Sequence, residues 1–289
     1  MAMTAFALLK SDTSLFFLAP TCATLSPATS ASSFASTSMK SLRLRLFLTH
    51  LAISAAIIGS CVAFIVFAWY PPPFAQLEGI SSILLLMAGV DVGAGPLCTL
   101  VAASPKKSRA HLARDLAVIG SVQLLALGYA VYTTCIARPA FVVYSVGEFE
   151  VEHANELTSE ELAKATTPAF ASAPLLGPVF VEARFPDDPK EAMRIVNSAV
   201  FGGPDIKDMP RSFQPWPYPG TDAREKAKPI SQLPEHGALR EAVVPLLRSR
   251  GVGEADAVVL PITGKIDRGT VVLRKSDLAV LGIIPYLAP

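Results

Sequence analysis

The stretch Ile80-Ser-Ser-Ile-Leu-Leu-Leu-Met-Ala-Gly-Val-Asp91-Val-Gly-Ala-Gly-Pro96-Leu-Cys-Thr-Leu-Val-Ala-Ala103 decides how the rest of the chain is interpreted. Its length and apolar character match a helix that crosses a lipid bilayer. Asp91 stands near its middle, where a carboxylate costs roughly 2.5–3.5 kcal/mol on insertion scales. We therefore expect another part of the protein, or a partner, to offset that cost.

Two further apolar segments accompany this stretch. The first, 46–70, ends in Trp69-Tyr70, aromatic residues typical of the membrane interface, and a run of prolines follows it. The other runs from 115 to 137. Three such segments in succession are not typical of a soluble core, so the sequence predicts three transmembrane helices (46–70, 80–103 and 115–137) within a membrane domain at 39–139.

The short loops predict the orientation of these spans. Seven basic residues lie either between Met39 and the first span or between the second span and the third, namely Lys40, Arg43, Arg45, Lys106, Lys107, Arg109 and Arg114. The loop between the first and second spans, 71–79, contains none. Because short basic loops stay in the cytoplasm, we expect a cytoplasmic N-terminus and an external domain after the third span.

The glycines around Asp91 suggest two specialised faces on the second span. Gly89 and Gly93 form a small-xxx-small pair, a pattern that suits close packing between membrane helices. At 100° per residue, Asp91 points about 200° away from those glycines. We therefore expect one face for packing and another for polar contact.

Pro96, which follows Gly95, adds a second polar requirement to this span. Proline has no N–H, so the carbonyl of Val92 should lack its usual donor and need another. Gln123 in the third span lies at a depth about 4–5 Å nearer the cytoplasmic side than Asp91, at 1.5 Å per residue. Asp91 could bond to Gln123 and tie two spans together, or it could contact a partner chain or a proton; both interpretations stay open.

The remaining residues are less hydrophobic. Residues 140–289 combine short apolar runs with many prolines and charges, which predicts an α+β domain large enough for its own core. Within it, Asp188-Pro189 fits a helix start, and the helix would place Met193, Val196 and Val200 on one face. Residues 1–38, rich in Ser, Thr and Ala, are expected to be a disordered leader or to precede the true start; a cleaved signal peptide is the alternative.

No pattern in the outer domain predicts catalysis, a metal or a cofactor. His153 and His236 stand alone in polar surroundings and are expected to be solvated. The sequence has no Asp-x-Asp motif, no nucleophile elbow and no paired-cysteine metal motif. Trp216 and Tyr218, in a proline-rich segment, are candidates for an exposed contact surface or for filling the domain core.

Short motifs on all three spans carry a family resemblance: Met39-Lys-Ser-Leu-Arg, His50, Trp69-Tyr70-Pro71, Gly89-Val-Asp91-Val, Gly95-Pro96-Leu, Thr99-Leu100-Val101, Asp115-Leu-Ala-Val-Ile119, Gln123-Leu and Ala137-Arg138-Pro139. They resemble the TfpX/TfpZ family of type IV pilin accessory proteins. The resemblance is close over about 39–145 and loose beyond. It implies an inner-membrane protein of Gram-negative bacteria with a periplasmic domain, needed for normal surface piliation and twitching motility.

The resemblance also implies partners. They are the major type IV pilin subunit, the lipid bilayer and other pilus assembly proteins, with no nucleic acid and no cofactor. An unassembled pilin has one span with a carboxylate in its apolar helix, and the polar face around Asp91 could hold it. We therefore predict a non-enzymatic accessory factor that binds or stabilises pilin; the alternative is a membrane-bound enzyme that modifies pilin or a lipid-linked precursor.

Overall fold

Three long apolar helices precede a mixed α/β sheet domain in the computed structural model, which describes residues 31–104, 107–233 and 237–285. Helix α1 covers Ala31–Phe64 and continues as a π-helical turn, Ile65–Trp69. The segments long and apolar enough to cross a membrane are Leu42–Trp69, Ser81–Ala102 and Arg109–Ile136. They agree with the three expected spans. Residues 1–30 of the expected leader lie outside the described part of the chain.

The second span is built from three pieces. They are α3 (Ser81–Ala88), a π-helical turn (Gly89–Ala94) and α4 (Gly95–Ala102). The third span is α5 (Arg109–Ile136), which starts earlier than the expected residue 115. The reason is Ser108, whose side chain accepts a hydrogen bond from the main-chain N–H of His111 and caps the helix.

The loop between the first two spans contributes to the core of the sheet domain. It contains the short helix α2 (Phe74–Leu77). Phe74 and Leu77 are buried against sheet residues that include Tyr144 and Phe149. This loop and the sheet domain must therefore lie on the same side of any membrane that the three helices cross.

The sheet domain contains short helices around eight described strands. The strands are β1 (Pro139–Ser145), β2 (Glu148–His153), β3 (Val179–Ala183), β4 (Phe213–Pro215), β5 (Lys228–Pro229), β6 (Ala257–Thr263), β7 (Arg268–Arg274) and β8 (Val280–Pro285). Their order is β4-β3-β1-β2-β6-β7-β8, and β5 pairs with β6. The β1–β3 and β2–β6 pairs are parallel and the other pairs are antiparallel.

Strand β1 explains how the domain packs. It follows the third span almost directly, and all seven of its residues are buried. Phe141 and Val143 pack into one hydrophobic cluster, and Val142 and Tyr144 into another. Alternate side chains of a strand point to opposite faces, so a strand buried on both faces has a continuous apolar sequence.

The helices of the domain are short. They are α6 (Ser159–Ala163), α7 (Pro189–Val200), α8 (Ala223–Lys226) and α9 (Ala238–Arg250). Asp188 caps α7, as its sequence indicates, by accepting a hydrogen bond from the N–H of Lys190. The face of α7 that carries Met193, Val196 and Val200 is exposed, and Ile195 on the other side is buried.

Candidate functional site

The structure brings Asp91 and Gln123 together across the second and third spans. The side-chain Nε2 of Gln123 lies 3.0 Å from the main-chain oxygen of Asp91 and 3.3 Å from its Oδ1. Asp91 is buried, with 4% of its surface exposed. The carboxylate that the sequence marks as costly therefore faces a hydrogen-bond donor of the third span.

The π-helical turn explains why Gln123 donates to the main chain of Asp91. In an α-helical register the N–H of Gly95 would bond to Asp91, but here it donates to the carbonyl of Val90. In this wider register the donor for Asp91 would be Pro96, which has no N–H. The carbonyl of Asp91 therefore needs another donor, which Gln123 supplies. The same need expected from the sequence at Val92 stays a prediction.

The glycines near Asp91 differ in their surroundings. A Cβ atom built at Gly95 would overlap the side-chain amide of Gln123. Glycine at this position therefore makes room for the contact between the two spans. At Gly89 and Gly93 a Cβ would meet no other described atom within 4 Å, so the expected small-residue face has no packing partner in the described part of the chain.

A second polar pair lies on the first and second spans. His50 Nδ1 lies 2.6 Å from Thr99 Oγ1, and Thr99 is buried. The sequence predicts His50 within the first span but does not predict its contact. The signal that could have found the pair is the presence of polar side chains in two apolar segments, which implies a partner within the membrane.

A cleft of about 210 Å³ opens between α1 and α5, next to His50, Asp91 and Gln123. Its lining consists of His50, Ile53, Ser54, Ile57, Ile58, Asp91, Gly120, Gln123, Leu124 and Leu127. Gln123 Oε1 is buried and has no hydrogen-bond partner among the described residues. The cleft therefore has mostly apolar walls, and the polar residues His50, Ser54, Asp91 and Gln123 form the rest of its lining.

A third polar cluster joins the loop after the first span to the sheet domain. His153 Nε2 lies 2.6 Å from Glu78 Oε2, and His153 Nδ1 lies 2.7 Å from Glu156 Oε2. His153 and Glu78 are both buried. The expectation of a solvated His153 is wrong, because the side chain is buried against Glu78, which lies 75 positions away in the sequence. His236 lies outside the described residues.

The two carboxylates change the protonation of His153. Burial disfavours the charged imidazolium, but the hydrogen bonds to Glu156 and Glu78 outweigh this and raise the pKa of His153 to about 9. The hydrogen bond from His153 lowers the pKa of Glu156 to about 2, with help from Lys265. At neutral pH the cluster is therefore an ion pair that fastens the loop to the domain.

Trp216 and Tyr218 occupy different environments. Trp216 packs against Tyr144 and Phe149 at ring-centroid distances of 5.0 and 4.8 Å, and its Nε1 donates to the carbonyl of Leu278. It therefore fills the domain core. The Arg184 guanidinium lies over the ring of Tyr218, 4.4 Å from the ring centroid. Tyr218 also borders an open cavity of about 500 Å³. Of the two, Tyr218 lies on an accessible surface.

These features define a class of protein. The described residues include no group of three or more His, Cys, Asp or Glu that could hold a metal ion. The polar groups instead connect helices to one another and to the sheet domain. The fold is thus that of a multi-pass membrane protein with an attached sheet domain and an open cleft between its helices.

Comparison with known proteins places this fold in a family. The model of the fimbrial assembly protein FimB family matches residues 39–79. A fimbrial assembly protein of serogroups C1 and C2 from Dichelobacter nodosus is 31% identical over 116 residues, which is 40% of this chain and 88% of the relative. The serogroup I protein of the same organism is 28% identical over 215 residues, 74% of this chain and 83% of the relative.

The chain belongs to the FimB family of fimbrial assembly proteins. A serogroup E1 relative from Dichelobacter nodosus is 28% identical over 183 residues, which is 63% of this chain and 70% of the relative. No solved structure matches the chain. The finer resemblance to the TfpX/TfpZ proteins stays a prediction.

Proposed function

We propose that this protein is a non-enzymatic assembly factor for type IV fimbriae that binds the pilin subunit in the inner membrane. The membrane helix of an unassembled pilin would lie in the cleft between α1 and α5, and the sheet domain would contact its outer part. The relatives are named as fimbrial assembly proteins, which supports a role in assembly. Normal surface piliation and twitching motility would depend on this binding.

The observation that carries the proposal is the polar part of the cleft lining. Gln123 Oε1 is buried and finds no hydrogen-bond partner in the described part of the chain, and Asp91 lines the cleft with Gln123. An unpaired polar group within a bilayer is costly because lipid offers no hydrogen bonds. A client helix with a polar side chain of its own, such as the carboxylate of a pilin span, would satisfy both itself and the cleft.

The walls of the cleft suit an apolar helix. Ile53, Ile57 and Leu124 line the opening and remain 54%, 42% and 65% exposed, respectively. A second helix placed there would bury these side chains and keep the polar groups out of contact with lipid. Gly89 and Gly93, which face no described neighbour, provide a further place where a helix of the client could approach closely.

The proposed location follows from the basic loops and from the contact between the loop at 71–79 and the sheet domain. The basic residues predict a cytoplasmic N-terminus. The loop at 71–79, which has no basic residue, packs into the sheet domain through Phe74 and Leu77. Both would therefore lie in the periplasm, where the outer part of a pilin is exposed before assembly.

Site-specific photocross-linking in cells tests the proposal. A photoreactive amino acid at Ile57 or Leu124 should give adducts with pilin. Leu125 is the matched control, since it adjoins Leu124 on the same helix, is 75% exposed, and does not line the cleft. Equal pilin yields at Leu124 and Leu125, or no adducts at the cleft positions, would contradict binding in the cleft.

A separate measurement distinguishes the assembly factor from an enzyme that modifies pilin. The intact mass of pilin from cells with and without this protein should be the same. A reproducible mass difference that depends on this protein would overturn the non-enzymatic proposal. Surface piliation and twitching should fall in the strain that lacks the protein, whichever mechanism operates.

A further inference from the structure

Two exposed apolar loops of the sheet domain lie at the ends of the spans. The first contains Leu175 and Leu176, whose exposed fractions are 70% and 68%. The N–H of Gly177 donates to the carbonyl of Ala68, at 2.7 Å, near the end of the first span. This hydrogen bond holds the loop against the last turn of that helix.

The same loop is also attached to the end of the third span. Arg138, two residues after α5, donates from Nε to the carbonyl of Pro174 at 2.8 Å and from Nη2 to that of Ala173 at 3.3 Å. It also donates from Nη1 to Cys135 within the span. The main chain on both sides of the two leucines is therefore fixed to the ends of two membrane helices.

The second loop reaches the start of the remaining span. Ile266 is 73% exposed, and its N–H donates to the carbonyl of Leu77 at 3.1 Å. Its side chain lies against Gly79, where a Cβ would come within 2.8 Å of Ile266 Cγ1. Gly79 lies two residues before Ser81, the first residue of α3.

We propose that Leu175, Leu176 and Ile266 insert into the interfacial region of the lipid bilayer and seat the sheet domain on the membrane. Their loops bond to Ala68, Leu77 and Arg138, residues within a few positions of the ends of all three spans. A side chain held at that level meets headgroups and the outer part of the acyl chains. Transfer of an exposed leucine or isoleucine into such surroundings is favourable.

One exposed apolar side chain of the domain, Val146, lacks this placement and provides a control. Val146 is 74% exposed, as much as Ile266. It follows strand β1, which leads away from the third span for seven residues, about 20 Å at the rise of an extended strand. We expect Val146 to remain in water under conditions in which the three proposed side chains contact lipid.

The test uses the full chain in lipid nanodiscs without pilin. Single cysteines at Leu175, Leu176, Ile266 and Val146, in a background with the native cysteines replaced, are labelled with a fluorophore sensitive to polarity. Lipids that carry a spin label on the outer acyl chain should quench the first three severalfold more than Val146, and iodide should show the opposite order. Equal quenching at all four positions would overturn the proposal.

A second measurement uses the unsubstituted protein, so that the result does not depend on the cysteine variants. A photoreactive lipid analogue in the same nanodiscs should label peptides that contain 173–177 and 265–267, and should not label the β1–β2 turn. If the three positions are open to iodide in lipid alone and become protected only when pilin is added, the surface binds a protein and the proposal fails.

Discussion

Gln123 donates a hydrogen bond to the main-chain oxygen of Asp91, and the same nitrogen lies 3.3 Å from the Asp91 carboxylate. One side chain of the third span thus satisfies two features of the second: a carbonyl left without a donor by Pro96, and an acidic side chain in the middle of an apolar helix. Because the main-chain part of this contact does not depend on the charge of Asp91, packing and function can be separated by substitution.

Asp91→Asn should retain the fold and reduce piliation. Asparagine has nearly the same shape, and Gln123 can still donate to the main-chain oxygen, so we expect stability to change by no more than about 1 kcal/mol. A client that needs the carboxylate would bind less well. Protein level in the membrane fraction and the number of surface pili would be measured; loss of the protein itself would indicate that the carboxylate serves packing.

Gln123→Leu, in contrast to Asp91→Asn, should lower the stability of the protein. The substitution leaves the Asp91 carbonyl and carboxylate without their donor, and an unsatisfied buried polar group costs about 1–3 kcal/mol. We expect a lower unfolding temperature in detergent and less protein in the membrane. Val122→Leu, one position away and 60% exposed, is the control and should behave like the unsubstituted chain.

Gly95→Ala and Gly93→Ala form a matched pair. Both place the same methyl group in the second span, but only at Gly95 would it overlap the amide of Gln123. We expect Gly95→Ala to lower stability by about 1–3 kcal/mol through overpacking, and Gly93→Ala to have little effect on stability. Thermal unfolding of the two purified variants checks this, and equal losses would show that Gln123 moves aside easily.

His153→Ala should loosen the attachment of the interspan loop to the sheet domain. It leaves the buried Glu78 carboxylate without its partner, which typically destabilises by about 3–5 kcal/mol. Glu156→Gln, at a more exposed carboxylate on the other ring nitrogen, should cost less. The rate of proteolytic cleavage in the loop at 71–79 measures this loosening and should rise in His153→Ala. Cleavage as slow as in the unsubstituted protein would contradict the role assigned to the ion pair.

Stability should depend on pH through this cluster. The pKa of His153 is raised from 6.5 to about 9, so its contribution is complete below pH 6.5 and lost as the pH rises through 9. The pKa of Glu156 is lowered from 4.5 to about 2, so its contribution is present above pH 4.5 and lost as the pH falls through 2. The hydrogen-bond partners, acting against burial, thus make the cluster most stabilising between pH 4.5 and 6.5.

Unfolding temperatures across pH 5–9 test this dependence. The unsubstituted protein should lose stability between pH 6.5 and 9, and His153→Ala should lose less over the same range. The difference between the two curves isolates the contribution of His153 from that of the rest of the protein. Parallel curves would show that the imidazole does not remain charged in the folded protein.

Local patterns were sufficient to predict the membrane helices and the helix start at Asp188. Apolar length and a capping residue with proline after it are properties of neighbouring residues. The sequence also indicated that Asp91 and Gln123 lie at similar depths in their spans, because the rise per residue along each helix is known. Patterns of this kind failed for His153, because its environment depends on Glu78, far away in the chain, and not on the polar residues beside it.

The sequence by itself determined three apolar spans, their basic loops and the presence of a carboxylate within the second, because hydrophobicity and charge act position by position. Only the tertiary structure decided that the Asp91 carbonyl accepts from Gln123, which glycine faces Gln123, and that Phe74 and Leu77 belong to the core of the sheet domain. These outcomes depend on the register of a π-turn and on contacts between distant segments. Such contacts form only when helices and strands pack together.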